Sequence, residues 1–375
     1  MDEAQQKRRP SPRKPQRCFF RTTNFELQCD NVLMNRSFLL AILMALLGAP
    51  AFAQNGVSLN DEARFLAGMS VHGSPIEDHT RSQAWMEHAT AMDSAFNKQE
   101  QRQLARVRAW SKAMVPGSGG TGTMYYMFSG PDFLYANAFY PGASTYILCG
   151  TEPVGDVPDL SKLSEAQLDM GIMGLRQSMK TILDFHYFIT KDMRVDLSRT
   201  QINGTLPILF VFMARTGNSV EAVEKVSSPA PGVKITFSGS GGHGQTLYYF
   251  RTDLSNGGKS SGFLKWCAGQ GPGMSLLKAA SYLMHSDEFS NVRNFLVQNS
   301  QVLVEDDSGI PWRDLQGHFD LHVYGTYQGP IQLFAKYYQP ELENAFRTNS
   351  PGPLGFGFGY HWQTERGMLI LATKR

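Results

Sequence analysis

Several short segments of this chain are apolar almost without interruption, and this pattern constrains the fold more than any other feature. The clearest examples lie at residues 145–149, 208–214 and 246–250. A strand that is buried on both faces has this composition, whereas a half-exposed strand alternates apolar and polar residues. We therefore predict that these segments are strands of a mostly parallel sheet with helices on both faces.

Helical patterns separate the predicted strands. An amphipathic helix is expected over 81–114, and another begins after Ser164, which forms a capping-box pattern with Gln167. Two more helices are predicted at 274–285 and 289–298, and four more strands at 124–128, 233–237, 319–327 and 368–372. This alternation predicts an α/β fold, in which 54–115 is a polar lead-in with a long helix and 116–375 is the α/β domain.

The segment from 124 to 152 has the local order of a Rossmann-type unit. A strand runs into the turn "SGPD", a short helical segment follows, and a second strand ends at Glu152. In that fold, an acid after the second strand binds a ribose hydroxyl. The turn "SGPDF" lacks the G-x-G-x-x-G fingerprint, and the G-x-x-x-x-G-K-[ST] loop occurs nowhere in the chain. The order therefore predicts the fold and no cofactor.

Two stretches of the chain resemble each other. "GTGTMYYMFSGPD" and "GHGQTLYYFRTDL" share a Gly-x-Gly lead and a Tyr-Tyr pair, and a segment with a cysteine follows each. One interpretation is that the domain consists of two related halves. The other is a chance similarity between segments rich in Gly and Tyr.

The N-terminal region has the pattern of an export signal. Residues 34–53 contain Arg36, an apolar run and then Ala51-Phe52-Ala53, which predicts cleavage between Ala53 and Gln54. The apolar run is short for a membrane span, so we expect an exported, periplasmic or secreted protein with no stable membrane insertion after cleavage. Residues 1–33 are interpreted as a non-native extension before the initiator Met34.

The distribution of charge argues against nucleic acid as a partner. Residues 1–53 hold eight of the 35 Lys and Arg and four of the 33 Asp and Glu. The remaining 27 basic and 29 acidic residues give the rest of the chain a slightly negative net charge. A nucleic-acid-binding protein needs a basic surface, so we expect no such partner.

Two cysteines, Cys149 and Cys267, follow the predicted cleavage site. An oxidising compartment permits a disulfide between them. The alternative is a pair of buried free thiols, because cysteine is among the most buried residue types. The sequence leaves both open.

Candidate ligand-binding residues are polar side chains that follow predicted strands or lie in polar loops, since α/β sheets bind ligands beyond the carboxyl ends of their strands. They are Asp132, Glu152, His243, Asp253, Asp307 and Arg313. Asp132 is also suited to cap the helix that follows it. His243 is the residue of the loop "GSGGHG" that is able to transfer protons near neutral pH.

The segment "HFDLH" places His318, Asp320 and His322 on one face of a predicted strand. Two imidazoles and a carboxylate are the ligand types of many metal sites. The alternative is an ordinary solvent-exposed strand face, because alternate residues of a strand lie far apart for a shared ion.

Six segments together resemble an uncharacterised family of exported bacterial proteins. They are "FSGPDFLYANAFYP", "YILCGTEPVG", "KAASYLMH", "DDSGIPWR", "YGTYQGPIQLF" and "GFGFGYHW", spread over residues 120–370. The resemblance implies export and one continuous unit, and it carries no known activity or site residue.

These observations predict an exported protein that binds a small polar or glycan-like ligand at the carboxyl ends of its strands. Two other classes remain open. One is a hydrolase that uses carboxylates as general acid and base, and the other is a cell-envelope scaffold that binds another protein.

Overall fold

The structure, a computed structural model, describes residues 56–188, 200–239, 242–258 and 260–375. The chain divides into two units, residues 1–47 and 48–375, and every described residue belongs to the second. The predicted extension at 1–33 and signal peptide at 34–53 lie outside the described residues.

The described helices and strands alternate along most of the chain, in agreement with the predicted α/β class. In chain order they are α1 (Leu59–Leu66), α2 (Gln83–Gln99), α3 (Ala105–Met114), β1 (Thr123–Tyr126), α4 (Phe133–Phe139), β2 (Thr145–Gly150), α5 (Glu165–Phe185), α6 (Leu206–Arg215), β3 (Ser219–Val226), β4 (Gly232–Ser238), β5 (Gly244–Arg251), α7 (Ser260–Ala268), β6 (Gly273–Leu277), α8 (Ser290–Asn299), β7 (Ser300–Glu305), α9 (Trp312–Leu315), β8 (Phe319–Gly325), α10 (Pro340–Asn349) and β9 (Met368–Lys374).

The strands form one nine-stranded sheet in the order β3-β4-β5-β2-β1-β6-β7-β9-β8. The neighbouring pairs among β5, β2, β1, β6 and β7 are parallel, but β4 and β9 are antiparallel to both of their neighbours. The prediction of a mostly parallel sheet is therefore wrong, and the sheet is mixed. The outer strands pair as antiparallel neighbours, which can follow one another through short turns, whereas the central strands need crossover helices.

The order of the central strands reverses beside β1. From β1 the chain goes to β2 and β5 on one side, and later to β6 and β7 on the other side. Loops that leave β1 and β6 at their carboxyl ends therefore diverge and leave a crevice. In open α/β sheets, ligands bind in the crevice at such a topological switch point.

Two predicted elements have the wrong type. Residues 208–214 belong to helix α6, which is buried all round and therefore lacks the polar face that marks a surface helix. Residues 274–285 contain strand β6, a loop and a short 3-10 helix at Leu283–His285 in place of the predicted α-helix. An apolar run alone does not distinguish a buried strand from a buried helix.

The long helix at 81–114 is confirmed as α2 and α3, joined by a π-helical turn at Glu100–Leu104. The capping box at Ser164 and Gln167 is also confirmed, and it begins α5. Strands β3 and β7 were not predicted from the sequence.

The similarity between the two Tyr-Tyr stretches does not extend to their surroundings. The stretches contain β1 and β5. Cys149 then lies in strand β2, whereas Cys267 lies in helix α7. The structure therefore gives no support to two related halves.

Side chains of β1 and of Met127, which follows it, alternate between two apolar cores on the two faces of the sheet. Met124 and Tyr126 pack with residues of helices α1 to α6, and Tyr125 and Met127 pack with residues of α7, α8 and α10. The predicted covering of both faces by helices is thus confirmed. Within the described part of the chain, no helix is long and apolar enough to cross a membrane.

Cys149 and Cys267 are free thiols, and both are fully buried. The disulfide alternative is not realised in this structure. Burial raises the pKa of Cys149 to about 12 and also raises the pKa of Cys267.

We predict that neither Cys149 nor Cys267 reacts with a thiol reagent in the native protein, because only an accessible thiolate reacts readily. Both should react after unfolding in denaturant without reductant. Alkylation followed by peptide mapping measures this directly. If these two residues become alkylated only after a reductant is added, they form a disulfide and the free-thiol arrangement is wrong.

Candidate functional site

A pocket of about 460 Å³ lies at the carboxyl ends of β1, β2 and β6, at the topological switch point. Its walls come from the turn at 128–130 after β1, residues 150–152 at the end of β2, the loop at 278–281 after β6, and residues 331–334 between β8 and α10. We call it the central pocket. Two of the predicted residues, Asp132 and Glu152, line it.

A buried ion pair forms the base of the central pocket. Lys278 Nζ lies 2.6 Å from Asp132 Oδ2, and both side chains are almost completely buried. The ammonium group also lies 3.5 Å from the ring centroid of Tyr135 and donates to the carbonyl oxygen of His186. Burial lowers the pKa of Lys278, and the Asp132 carboxylate opposes this effect. The pair joins β6 to the loop after β1 across the switch point.

Asp132 is the N-cap of α4, as the sequence predicted. Its Oδ1 accepts a hydrogen bond from the backbone N–H of Tyr135 at 3.1 Å. Its Oδ2 accepts a second bond from the hydroxyl of Tyr126 at 2.9 Å, in addition to the contact with Lys278. The capping role and the position in the pocket are therefore both real, and both oxygens are already engaged by the protein.

The two loops that leave β1 and β6 contain backbone strain. Phe128 has a φ of +61°, and Ala279, Ser281 and Tyr282 have φ values of +53°, +57° and +55°. Residues other than glycine rarely adopt this left-handed conformation, which costs about 1–2 kcal/mol each. Strain of this kind persists only where surrounding contacts enforce it, and it is concentrated at functional sites.

The turn after β7 enforces the strained conformation of the β6 loop. Asp306 Oδ2 accepts hydrogen bonds from the backbone N–H groups of Ala279 at 3.0 Å and Tyr360 at 3.2 Å. Ser308 Oγ accepts from the N–H of Ala280 at 2.7 Å, and its carbonyl accepts from the N–H of Tyr282 at 3.1 Å. Burial, together with the neighbouring Asp307, raises the pKa of Asp306 to about 6.

Glu152 lies at the end of β2, where the sequence predicted a polar site residue. Its Oε2 accepts a hydrogen bond from the Tyr249 hydroxyl at 3.1 Å. A Cβ atom at Gly150 would lie 2.2 Å from the same oxygen, so only glycine leaves room for the carboxylate there. The Tyr249 contact holds the carboxylate against the turn after β1.

Aromatic rings form the outer wall of the pocket. The ring centroid of Tyr360 lies 5.2 Å from that of Tyr187 and 5.2 Å from that of Phe334. Leu333, at the mouth, has 79% of its surface exposed. The pocket therefore combines a polar base with an apolar, ring-lined mouth, which is the usual composition of small-molecule sites.

The structure places the remaining predicted residues outside the central pocket. Asp307 is buried behind it, where Oδ2 accepts from the Tyr282 hydroxyl at 2.7 Å and Oδ1 lies 3.0 Å from His361 Nε2. Burial lowers the pKa of His361, but the facing Asp307 outweighs this, so the net shift is upward. Asp307 therefore holds Tyr282 and His361 behind the pocket wall and does not line the pocket.

Three further candidates are exposed and are not brought together. His243 precedes β5, so it lies at the amino ends of the parallel strands, whereas the pocket lies at their carboxyl ends. Asp253 accepts from the N–H of Ser255 in a local turn after β5. Arg313 is 70% exposed, with only a 3.7 Å contact to Asp314.

The residues of "HFDLH" form the solvent-exposed face of β8. His318, Asp320 and His322 are exposed, and Asp320 pairs with Arg375 at 2.8 Å. Across the described ranges, no group of three His, Cys, Asp or Glu residues is arranged to hold a metal ion. The side chains of His318, Asp320 and His322 thus lie on an exposed strand face in this structure.

Sequence reasoning missed Lys278, Asp306 and Tyr360. Lys278 directly follows the apolar strand β6, and a charged residue at such a position is a recognisable signal once the strand is identified. The incorrect helix prediction at 274–285 concealed it. Asp306 and Tyr360 gave no local signal, because their importance comes from contacts between distant loops.

Comparison with protein-family models, with curated proteins and with solved structures found no match to this chain. The resemblance to a family of exported proteins therefore remains a prediction. The fold and the central pocket are the basis for any statement about function.

We predict that Asp132→Ala lowers the free energy of unfolding by about 3–5 kcal/mol, because it leaves Lys278 buried without its counter-charge. Loss of a helix cap alone costs only about 1 kcal/mol. Urea unfolding followed by circular dichroism measures the difference.

The matched control removes both charges. Asp132→Asn keeps an acceptor for the N–H of Tyr135, and the double variant Asp132→Asn/Lys278→Met removes both charges of the pair, so it should be more stable than Asp132→Asn alone. If Asp132→Ala costs only about 1 kcal/mol, the ion pair does not stabilise the site.

We also predict that Gly359→Ala is far more destabilising than Gly355→Ala. Both glycines have a positive φ, but a Cβ atom at Gly359 would lie 1.6 Å from Asp306 Oδ2, whereas nothing lies within 4 Å of one at Gly355. The Gly355 variant should lose about 1–2 kcal/mol from backbone strain alone. Equal losses in urea unfolding would show that the Asp306 contact is not important for stability.

Proposed function

We propose that this chain binds a small polar ligand in the central pocket. The observation that carries the proposal is the convergence of two strained loops, around Phe128 and Ala279–Tyr282, at the topological switch point. Strained backbone is retained where a loop must present atoms in a fixed arrangement, and open α/β sheets bind ligands at this position.

The composition of the pocket supports the same proposal. Glu152 supplies a polar group at its inner end, and the rings of Phe334 and Tyr360 supply apolar surface at its mouth. The volume of about 460 Å³ lies within the range of small-molecule sites. A sugar-like or similarly sized polar molecule fits this combination.

We further propose that the protein acts after export, as the signal-peptide pattern at 34–53 and the predicted cleavage between Ala53 and Gln54 suggest. The ligand would then come from the periplasm or the surroundings of the cell.

A carboxylate-dependent hydrolase gains less support from the geometry. Asp132 lines the pocket, but both of its oxygens are engaged by Tyr135, Tyr126 and Lys278, so it is not free to transfer protons. His243 lies at the amino end of β5, away from the pocket at the carboxyl ends of the strands. The described residues offer no comparable observation in favour of a scaffold.

Native mass spectrometry tests the proposal on protein recovered from the envelope fraction of its own host. We expect the wild-type protein to carry a bound small molecule. Thr151→Trp should remove that extra mass, because Thr151 is exposed at the pocket and the indole fills it without disturbing the buried ion pair.

The control is Met173→Trp, which places the same side chain in a separate groove between α2 and α5. This variant should retain the ligand. A bare wild-type mass, or loss of the ligand from the Met173 variant alone, contradicts binding in the central pocket. The denatured mass of the same sample shows whether the chain begins at Gln54.

A further inference from the structure

Among the described residues, no cation forms an ion pair with Glu152 in the central pocket. The charged side chains in the described lining of the pocket are Asp132, Lys278 and Glu152, and the first two pair with each other. Glu152 Oε2 accepts from Tyr249, while no described residue hydrogen-bonds to Oε1. The pocket therefore contains a carboxyl group that Tyr249 holds at Oε2 and whose Oε1 has no hydrogen-bond donor among the described residues.

Gly130, in the turn after β1, leaves space beside this carboxyl group. Gly130 lies opposite, and even a Cβ atom placed there would be 3.8 Å from both carboxylate oxygens. Its φ of +56° turns the chain sharply after β1 and leaves backbone in place of a side chain at the pocket surface. The turn and the end of β2 are joined directly by the Gly130 N–H, which donates to the carbonyl oxygen of Cys149 at 3.2 Å, so a ligand reaches Glu152 only from the pocket, where 2% of its surface is exposed.

The same region is unsuited to a phosphate group. The N-terminus of α4, which follows the β1 turn, is already capped by the Asp132 carboxylate. A phosphate would need the backbone N–H groups that Asp132 now satisfies, and Glu152 would repel it. Lys278 cannot compensate, because its charge is already paired with Asp132.

Building on the proposed ligand pocket, we infer that Glu152 binds two adjacent hydroxyl groups of an uncharged ring. A carboxylate is an acceptor-only group and bonds well to hydroxyl donors. An acid at the end of the second strand binds ribose hydroxyls in other doubly wound folds. The ribose of a nucleoside and a neutral sugar share this chemistry, and the rings of Phe334 and Tyr360 offer a surface for the rest of the molecule.

Isothermal titration calorimetry with matched probes tests the inference. The nucleoside probes are adenosine, 2′-deoxyadenosine and adenosine monophosphate, and the sugar probes are methyl β-D-ribofuranoside and its 2-deoxy analogue. We expect removal of one hydroxyl to weaken binding roughly 10- to 100-fold, since a hydrogen bond to a charged group is lost. Adenosine monophosphate should bind more weakly than adenosine.

Glu152→Gln should weaken binding of the diol probes by a similar or larger factor and weaken the deoxy probes less, because these keep only one of the two hydroxyls. The amide retains an acceptor for Tyr249, and urea unfolding verifies that the variant is folded. Tyr249→Phe, which removes the hydroxyl that positions the carboxylate, should show a smaller loss with the same preference for diol probes.

Titrations with adenosine and with methyl β-D-ribofuranoside distinguish a nucleoside ligand from a neutral sugar. Binding of adenosine but not of the riboside identifies a nucleoside, and comparable binding of both identifies the sugar ring alone. The inference is overturned if no diol probe binds, if diol and deoxy probes bind equally, or if adenosine monophosphate binds more tightly than adenosine. A ligand without adjacent hydroxyls in the native mass spectrum would also overturn it, while leaving the proposed binding function intact.

Discussion

The buried ion pair between Lys278 and Asp132 is the interaction on which the central pocket depends. It connects the end of β6 with the cap of α4 at the point where the strand order reverses. Two charges removed from water are tolerated only when each meets its partner and further hydrogen bonds, and here Tyr126, Tyr135 and His186 supply these contacts. Because such contacts require defined distances, the pair fixes the geometry of both loops.

A second set of polar contacts, around Asp306, holds the outer wall of the central pocket in place. Asp306 accepts from backbone groups of both the β6 loop and the segment around Tyr360, so one carboxylate positions two walls of the pocket. The contacts with Ser308 offset the strain at Ala279–Tyr282. Rigid polar support beneath a ring-lined mouth is the arrangement expected of a binding site whose shape is largely preformed.

Both carboxylate oxygens of Asp132 already have partners within the protein, and this decides which acidic residue of the pocket can bind a ligand. A carboxylate that caps a helix and pairs with a lysine is not free to bind a ligand, so Glu152, whose Oε1 has no hydrogen-bond donor among the described residues, becomes the informative one. The distinction depends on hydrogen-bond partners and not on residue type. Both acids looked equivalent in the sequence, because each follows a strand.

The sequence by itself determined the α/β class, the long helix with its later capped neighbour, the cap at Asp132 and the position of Glu152 at a strand end, since these depend on local periodicity and on residues a few positions apart. Only the tertiary structure decided that residues 208–214 are a helix and that 274–277 are a strand, because full burial removes the periodic signal that separates the two. It also decided that Lys278 meets Asp132 and that Asp306 supports Tyr360. Those contacts join residues 54 or more positions apart, and sheet topology, not local sequence, brings them together.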